Sequence, residues 1–304
     1  MKKALALILT ASLLTGVLTA CGSSEAQTDA AETTTEEAAA EETAAAEETA
    51  DTDAQAETGD LQVITVAATA VPHAEILEAA KPILAEQGYD LQVTVFDDYV
   101  QPNEVVEAGD IDCNYFQHIP YLNSYNEERG THLVSVGEIH YEPIGIYAGT
   151  ESDLSNISDG ADIAIPNDTT NEARALLILQ DNGIITLKEG AGIDATINDI
   201  AENPHNINFV EMEAAQVSKV LSEVAFAVIN GNYALDAGLN AQTDALASET
   251  SDSLAAQTYV NVVVVKEGNE DNEGVKALVD VLKSDDIKKF IEEPYEGAVV
   301  PFEG

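Results

Sequence analysis

The chain has 304 residues, with 12 Lys plus Arg set against 56 Asp plus Glu, for a formal net charge of −44. That balance argues against nucleic acid or anionic lipid headgroups as the ligand, since both would be repelled. It begins with Lys2 and Lys3, an apolar run from Ala4 to Val17, and then Leu18-Thr19-Ala20-Cys21. A charged start, a short apolar stretch and a small-residue finish make an export signal over 1–20, too short to span a bilayer comfortably.

Leu18-Thr19-Ala20-Cys21 resembles a bacterial lipobox, in which the signal is cut before Cys21 and the new N-terminus carries lipid. This predicts attachment to the extracytoplasmic face of the cell membrane through acyl chains on Cys21. From Gly22 to Asp60 the residues are almost wholly Ala, Glu, Thr, Asp, Ser and Gln, with 13 acids and no aromatic or basic side chain. Such a segment cannot bury enough surface to fold, so 21–60 is predicted to be a disordered acidic linker. Its expected reach is roughly 35 Å or more, from the square-root scaling of flexible chains.

The remaining 61–304 keeps 10 basic against 43 acidic residues and is long enough for a sizeable core. With Cys21 committed to lipid, Cys113 is the only other thiol, so no intrachain disulfide is predicted and stability must come from packing. The apolar period switches repeatedly between short runs and helical spacing, the pattern of strands alternating with helices. Strands are predicted at Leu61–Ala68, Leu91–Phe96 and Ile111–Phe116, with helices at Ile76–Leu84, where Pro82 marks a kink or a late start, and Pro102–Ala108. A helix near Pro120–Glu128 leads to strand-like runs at Leu133–Val136 and Ile144–Tyr147. A second set follows: strand Ala161–Ile165, helix Asn171–Gln180, strand Ile207–Glu211, helix Gln216–Val224 and strand Phe226–Ile229. Tyr259–Val265 is a valine-rich strand that can rejoin the first sheet, and helices at Val275–Lys283 and Ile287–Glu293 close the chain.

Two α/β units and a returning strand predict two lobes joined by two crossovers: 61–142 plus 258–304, and 143–257. Parallel sheets of this kind bind ligands beyond the carboxyl ends of their strands, and a cleft between lobes adds a second wall. Polar and aromatic clusters fall at those strand ends. They are Val71-Pro72-His73-Ala74-Glu75-Ile76-Leu77, Asp98-Tyr99-Val100-Gln101-Pro102-Asn103, Phe116-Gln117-His118-Ile119-Pro120-Tyr121-Leu122 and Pro166-Asn167-Asp168-Thr169-Thr170-Asn171-Glu172-Ala173-Arg174-Ala175-Leu176. Glu202-Asn203-Pro204, Ile229-Asn230-Gly231-Asn232-Tyr233-Ala234 and Gly297-Ala298-Val299-Val300-Pro301 follow in order.

Together these motifs resemble the methionine-binding lipoprotein family of ABC importers, over essentially all of Leu61 to Phe302. The resemblance implies a two-lobed periplasmic-binding-protein fold of the α/β class, with a ligand cleft between the lobes. It implies L-methionine or a relative as ligand, and a membrane permease and a cytoplasmic ATPase as partners. On the matching positions, Arg174 would bind the ligand carboxylate and Asn230 and Asn261 the amino-acid head group. Tyr99, Phe116, His118 and Tyr121 would line the side-chain slot.

The residue types suit those roles. Arginine offers a planar fork to a carboxylate, asparagine can accept from an ammonium and donate to a carboxylate, and rings favour a thioether. Arg129 and Arg174 are the only arginines in the chain, and Arg129 sits in a polar Glu-Glu-Arg-Gly turn. The competing reading is an enzyme with Cys113 as nucleophile and His118 as base, but Cys113 falls mid-strand, where a buried inert thiol is the ordinary outcome. His73, His118, His132 and His140 lack a tight metal-ligand spacing, and no phosphate-binding glycine loop is present, so no metal, cofactor or catalysis is predicted. Other binding readings are D-methionine, another apolar amino acid, a methionine-containing dipeptide, or a surface interaction protein without transport.

Overall fold

A computed structural model describes residues 61–250 and 257–303; the predicted signal, Cys21 and the acidic linker lie outside the described residues. The chain begins with strand β1 (Gln62–Ala68), whose Ile64, Val66, Ala67 and Ala68 are buried. A turn over Ala70–Ala74 leads into helix α1 (Glu75–Glu86), and β2 (Tyr89–Val95) returns beside β1. Helix α1 runs on both sides of Pro82. Its Ile76, Leu77, Ala80 and Leu84 are fully buried on one face, and that docking offsets the hydrogen bond a proline removes.

Helix α2 (Gln101–Ala108), β3 (Cys113–His118), α3 (Ile119–Arg129) and β4 (Leu133–Tyr141) complete the first half. The second half holds β5 (Gly145–Ala148), β6 (Asp162–Pro166), α4 (Thr169–Asp181), the short pair β7 (Thr186–Leu187) and β8 (Ile200–Glu202), and β9 (Asn208–Met212). It continues with α5 (Ala214–Val217), β10 (Phe226–Ile229), α6 (Gly231–Asp236) and β11 (Ala245–Ser248). The chain then returns through β12 (Val260–Lys266), α7 (Glu273–Leu282), α8 (Asp285–Tyr295) and β13 (Val300–Pro301).

Two sheets result, in the orders β13-β4-β12-β3-β1-β2 and β11-β5-β10-β6-β9. Each has its own apolar core: Ile64, Val66, Leu77, Leu84, Val263 and Leu278 under the first, and Ile144, Ile146, Ile163, Ile165, Leu176 and Phe226 under the second. This is a two-lobed α/β architecture. The sheets are mixed, where the sequence suggested parallel ones. β1 is parallel to β2 and β3, and β6 to β9 and β10, but β12 runs antiparallel to β3 and β4, and β5 antiparallel to β10 and β11. The physical reason is the route of entry. β12 comes from the second sheet and meets β3 at its carboxyl end, pairing Asn261 with His118, so it must run the opposite way.

The helix expected over Gln216–Val224 is cut to α5 and a 3-10 turn at Ser218–Val220. The carbonyls of Val224 and Ala225 accept from the backbone N–H groups of Thr150 and Gly149 at 2.8 and 3.0 Å. That pairing prolongs the β5–β10 ladder and takes those carbonyls out of any helix. Two crossings link the sheets: Glu142-Pro143-Ile144 between β4 and β5, and the stretch from Glu249 to Tyr259 between β11 and β12.

Candidate ligand-binding site

A small, narrow cavity is lined by residues of both lobes. The first lobe supplies Tyr99 from the β2–α2 loop, Phe116, Gln117 and His118 from the end of β3, Tyr121 from α3 and Asn261 from β12. The second supplies Asn171 and Arg174 from α4, then Asn230, Gly231 and Asn232 at the end of β10 and the start of α6; Glu142 joins from the first crossing. All seven residues singled out in the sequence therefore face one cavity. The positions follow from local structure: strand ends and the first turns of helices converge where the two sheets meet.

The rings form a cluster on one side. Tyr99 lies 5.8 Å from Phe116 and 5.6 Å from Tyr121 between centroids, and Phe116 lies 6.1 Å from Tyr121. Tyr99 also reaches the other lobe, stacking 4.9 Å from Tyr233 and donating its hydroxyl to Asn232 Oδ1 at 2.5 Å.

His118 is 6 % exposed and bridges the lobes. Its Nδ1 accepts from the Tyr121 N–H at 3.1 Å, capping α3, so Nε2 carries the proton and donates to Asn171 Oδ1 at 3.1 Å. Burial, aided by the Arg174 charge, lowers its pKa from 6.5 to about 3, so the ring is neutral. Asn171 is fixed in turn by Asp168, the N-cap of α4, and accepts from Asn230 Nδ2 at 2.8 Å. Asn230 Oδ1 is buried without a hydrogen-bond partner, a costly position for an acceptor.

Arg174 is 4 % exposed and lies in the cavity wall, not at the surface. Its Nε donates to Glu249 Oε1 at 2.9 Å and its Nη2 to Glu249 Oε2, while Nη2 also reaches the Glu142 carbonyl at 2.8 Å. The ring of Tyr259 stacks 4.2 Å from the guanidinium carbon. One edge of the fork is thus taken by the protein's own carboxylate, which ties α4 to both crossings. Burial pulls the Arg174 pKa down, but Glu249 outweighs it and the net shift is upward. Burial likewise pushes Glu249 up, and Arg174, the Tyr141 hydroxyl and the Ile144 N–H together pull it below the usual carboxylate range.

A second buried group adjoins the cavity and was not read from the sequence. His73 Nε2 lies 3.3 Å and His140 Nε2 2.7 Å from Glu142 Oε1, and His73 Nε2 is also 3.0 Å from Asn261 Oδ1. The three side chains come from the turn before α1, from β4 and from the first crossing, so spacing along the chain carries no signal of them. The register does carry one in retrospect: Asn261 pairs with His118 on one side of β12 and with His140 on the other. Cys113, by contrast, is fully buried, its S–H pointing at the Thr65 carbonyl at 3.7 Å, and burial pushes the thiol well up. A thiolate there is disfavoured.

Comparison with known proteins places this geometry. A crystal structure of a putative lipoprotein from Ruminococcus gnavus superposes with a TM-score of 0.79 at 67 % identity, covering 80 % of this chain and 100 % of that one. A nutrient-binding protein from Burkholderia cenocepacia, solved bound to methionine, gives 0.74 at 42 % identity, covering 78 % and 99 %. The methionine-binding lipoprotein MetQ of Bacillus subtilis is 41 % identical over 250 residues, 81 % of this chain and 90 % of its own. The profile of the NlpA lipoprotein family matches residues 64–303, and the chain belongs to that family.

Proposed function

We propose that this protein is the extracytoplasmic binding component of an ABC importer, and that it captures methionine between its two lobes. The observation that supports this reading most directly is the convergence of Arg174, Asn230, Asn261, Tyr99, Phe116, His118 and Tyr121 on one cavity. Arg174 attracts the ligand carboxylate, the two asparagines hold the head group, and the rings enclose the thioether. Relatives that are named as methionine-binding or solved with methionine bound favour the same ligand.

The lobes in this reading are 61–142 plus 258–304, and 143–257. Ligand that touches both favours the closed form, because only there do all partners engage together, and the closed form is what a permease and its ATPase recognise. Lipid on Cys21 holds the protein at the membrane; no helix among the described residues is long and apolar enough to cross one. The protein acts by binding and release, without catalysis.

Calorimetric titration with L-methionine, D-methionine, glycylmethionine and leucine, on protein freed of co-purified ligand, tests the assignment. L-methionine is expected to bind most tightly. A clear preference for D-methionine, the dipeptide or leucine replaces the ligand while keeping the fold's role. No binding to any amino acid or dipeptide overturns the reading in favour of a surface interaction protein.

A further inference from the structure

Resting on that reading, we propose that Glu142 is the counter-ion for the ligand's ammonium group, which makes the site selective for ligands with a free amine. Arg174 does not pair with the Glu142 carboxylate: one edge of its fork is engaged by Glu249, and it meets Glu142 only at the backbone carbonyl. The two side chains nearest the Glu142 carboxylate are imidazoles. Burial lowers His73 to about 4 and His140 to about 3, so neither brings a cation.

Their orientation fixes what they do bring. Thr69 Oγ1 is 2.8 Å from His73 Nδ1, and the Tyr115 hydroxyl contacts His140 Nδ1. A hydroxyl donating to each Nδ1 leaves both protons on Nε2: His140 donates to Glu142 Oε1 at 2.7 Å, and His73 donates to Asn261 Oδ1 at 3.0 Å with Glu142 Oε1 3.3 Å away. Glu142 is therefore met by neutral donors, the His140 ring and the Asn232 backbone N–H, and Oε2 lies on the side of Gly231, itself a cavity residue. A Cβ built on Gly231 falls 3.0 Å from Oε2 and 2.7 Å from Glu142 Cβ, so the glycine is what lets the carboxylate come this close.

An independent observation points to the same ligand chemistry. Asn230 lines the cavity, and its Oδ1 is buried with no donor. A carboxylate without a cation and an amide oxygen without a donor, in one small cavity, are two of the acceptors an ammonium needs. The zwitterion then lies with its acid end toward Arg174 and its amine toward Glu142 and Asn230.

Titration of methionine and of 4-(methylthio)butanoate, the same molecule with hydrogen in place of the amine, tests this. Wild type is expected to prefer methionine by about 30-fold or more, the lower end of what an unpaired buried charge costs. Glu142→Gln should lose that preference while binding the butanoate at least as well as wild type, which also shows that the variant is folded. Glu142→Asp, a shorter anion, should retain part of the preference and serves if the glutamine variant does not fold. Equal affinity of wild type for the two compounds overturns the proposal, as does a Glu142→Gln protein that keeps the preference or loses both ligands alike. Those outcomes leave methionine binding itself intact, whereas a wild type that binds no amino acid removes the functional reading on which the proposal stands.

Discussion

The two crossings between the lobes each carry a glutamate, buried at Glu142 and half-buried at Glu249, and the two behave in opposite ways. Glu249, on the second crossing, faces a guanidinium and is held ionised below the usual carboxylate range. Glu142, on the first, is pushed up by burial, with His73, Arg174 and the Asn232 N–H pulling the other way without overcoming it. The lesson is that burial alone does not decide the state of a carboxylate; the nature of its neighbours does. A fixed cation makes a permanent internal pair that shapes the hinge region. Neutral donors alone leave an acceptor that, in the proposed complex, takes its cation from the ligand.

The sharpest way to break this comparison is to neutralise each acid in turn and measure unfolding by denaturant. Glu249→Gln leaves Arg174 buried without its counter-charge, and a loss of about 3–5 kcal/mol is expected. Glu142→Gln should change stability by less than about 1 kcal/mol, because the amide oxygen still accepts from the His140 ring. Equal losses in the two variants erase the distinction between structural pair and ligand acceptor.

Arg174→Lys keeps the charge but not the fork. It can no longer hold Glu249 with two donors and still reach the Glu142 carbonyl, and methionine affinity should fall by about 2–3 kcal/mol in calorimetry. Unchanged affinity removes the arginine from the carboxylate site.

Acid titration of stability probes the imidazoles. His73, His118 and His140 fall from 6.5 to about 4, 3 and 3 in the folded protein. Between roughly pH 6.5 and 4 the unfolded chain therefore takes up protons that the folded one refuses, so the contribution of these rings, fully present above 6.5, is lost as pH falls. Glu142 and Asp168, both raised by burial, act in the opposite sense. His140→Gln should flatten the acid slope by ~1.4 kcal/mol per pH unit, seen in denaturation curves at pH 7, 6 and 5. An unaltered slope means that His140 is charged in the folded state.

Tyr99→Phe is expected to have the smallest effect. It removes the hydroxyl bond to Asn232 that crosses between lobes and leaves the ring packing, so affinity should fall by about 1 kcal/mol or less. A larger fall places the hydroxyl itself on the ligand.

Much of the site was legible in the chain because the motifs carry it. Arg174 stands in the first turns of a capped helix, Tyr99 before a Pro-started helix, and Asn230 at a strand end, each a position that strand-and-helix periodicity can locate. What escaped was of two kinds. Strands of two or three residues, such as β7, β8 and β13, are too short to show a period. Partners from distant segments, such as Glu249 for Arg174 or His73 for Glu142, are separated by 75 residues in the first case and have no fixed spacing in either.

The sequence by itself determined the α/β class, the two-lobed plan and the excess of acid, and its family resemblance pointed to seven of the residues that face the cavity. Alternation of buried strands and amphipathic helices is a local property, written every few residues. The tertiary structure alone decided the direction of β12, the internal carboxylate on Arg174 and the His73–Glu142–His140 group. Each of these depends on where chain segments far apart in sequence are brought together, and local periodicity holds no record of that.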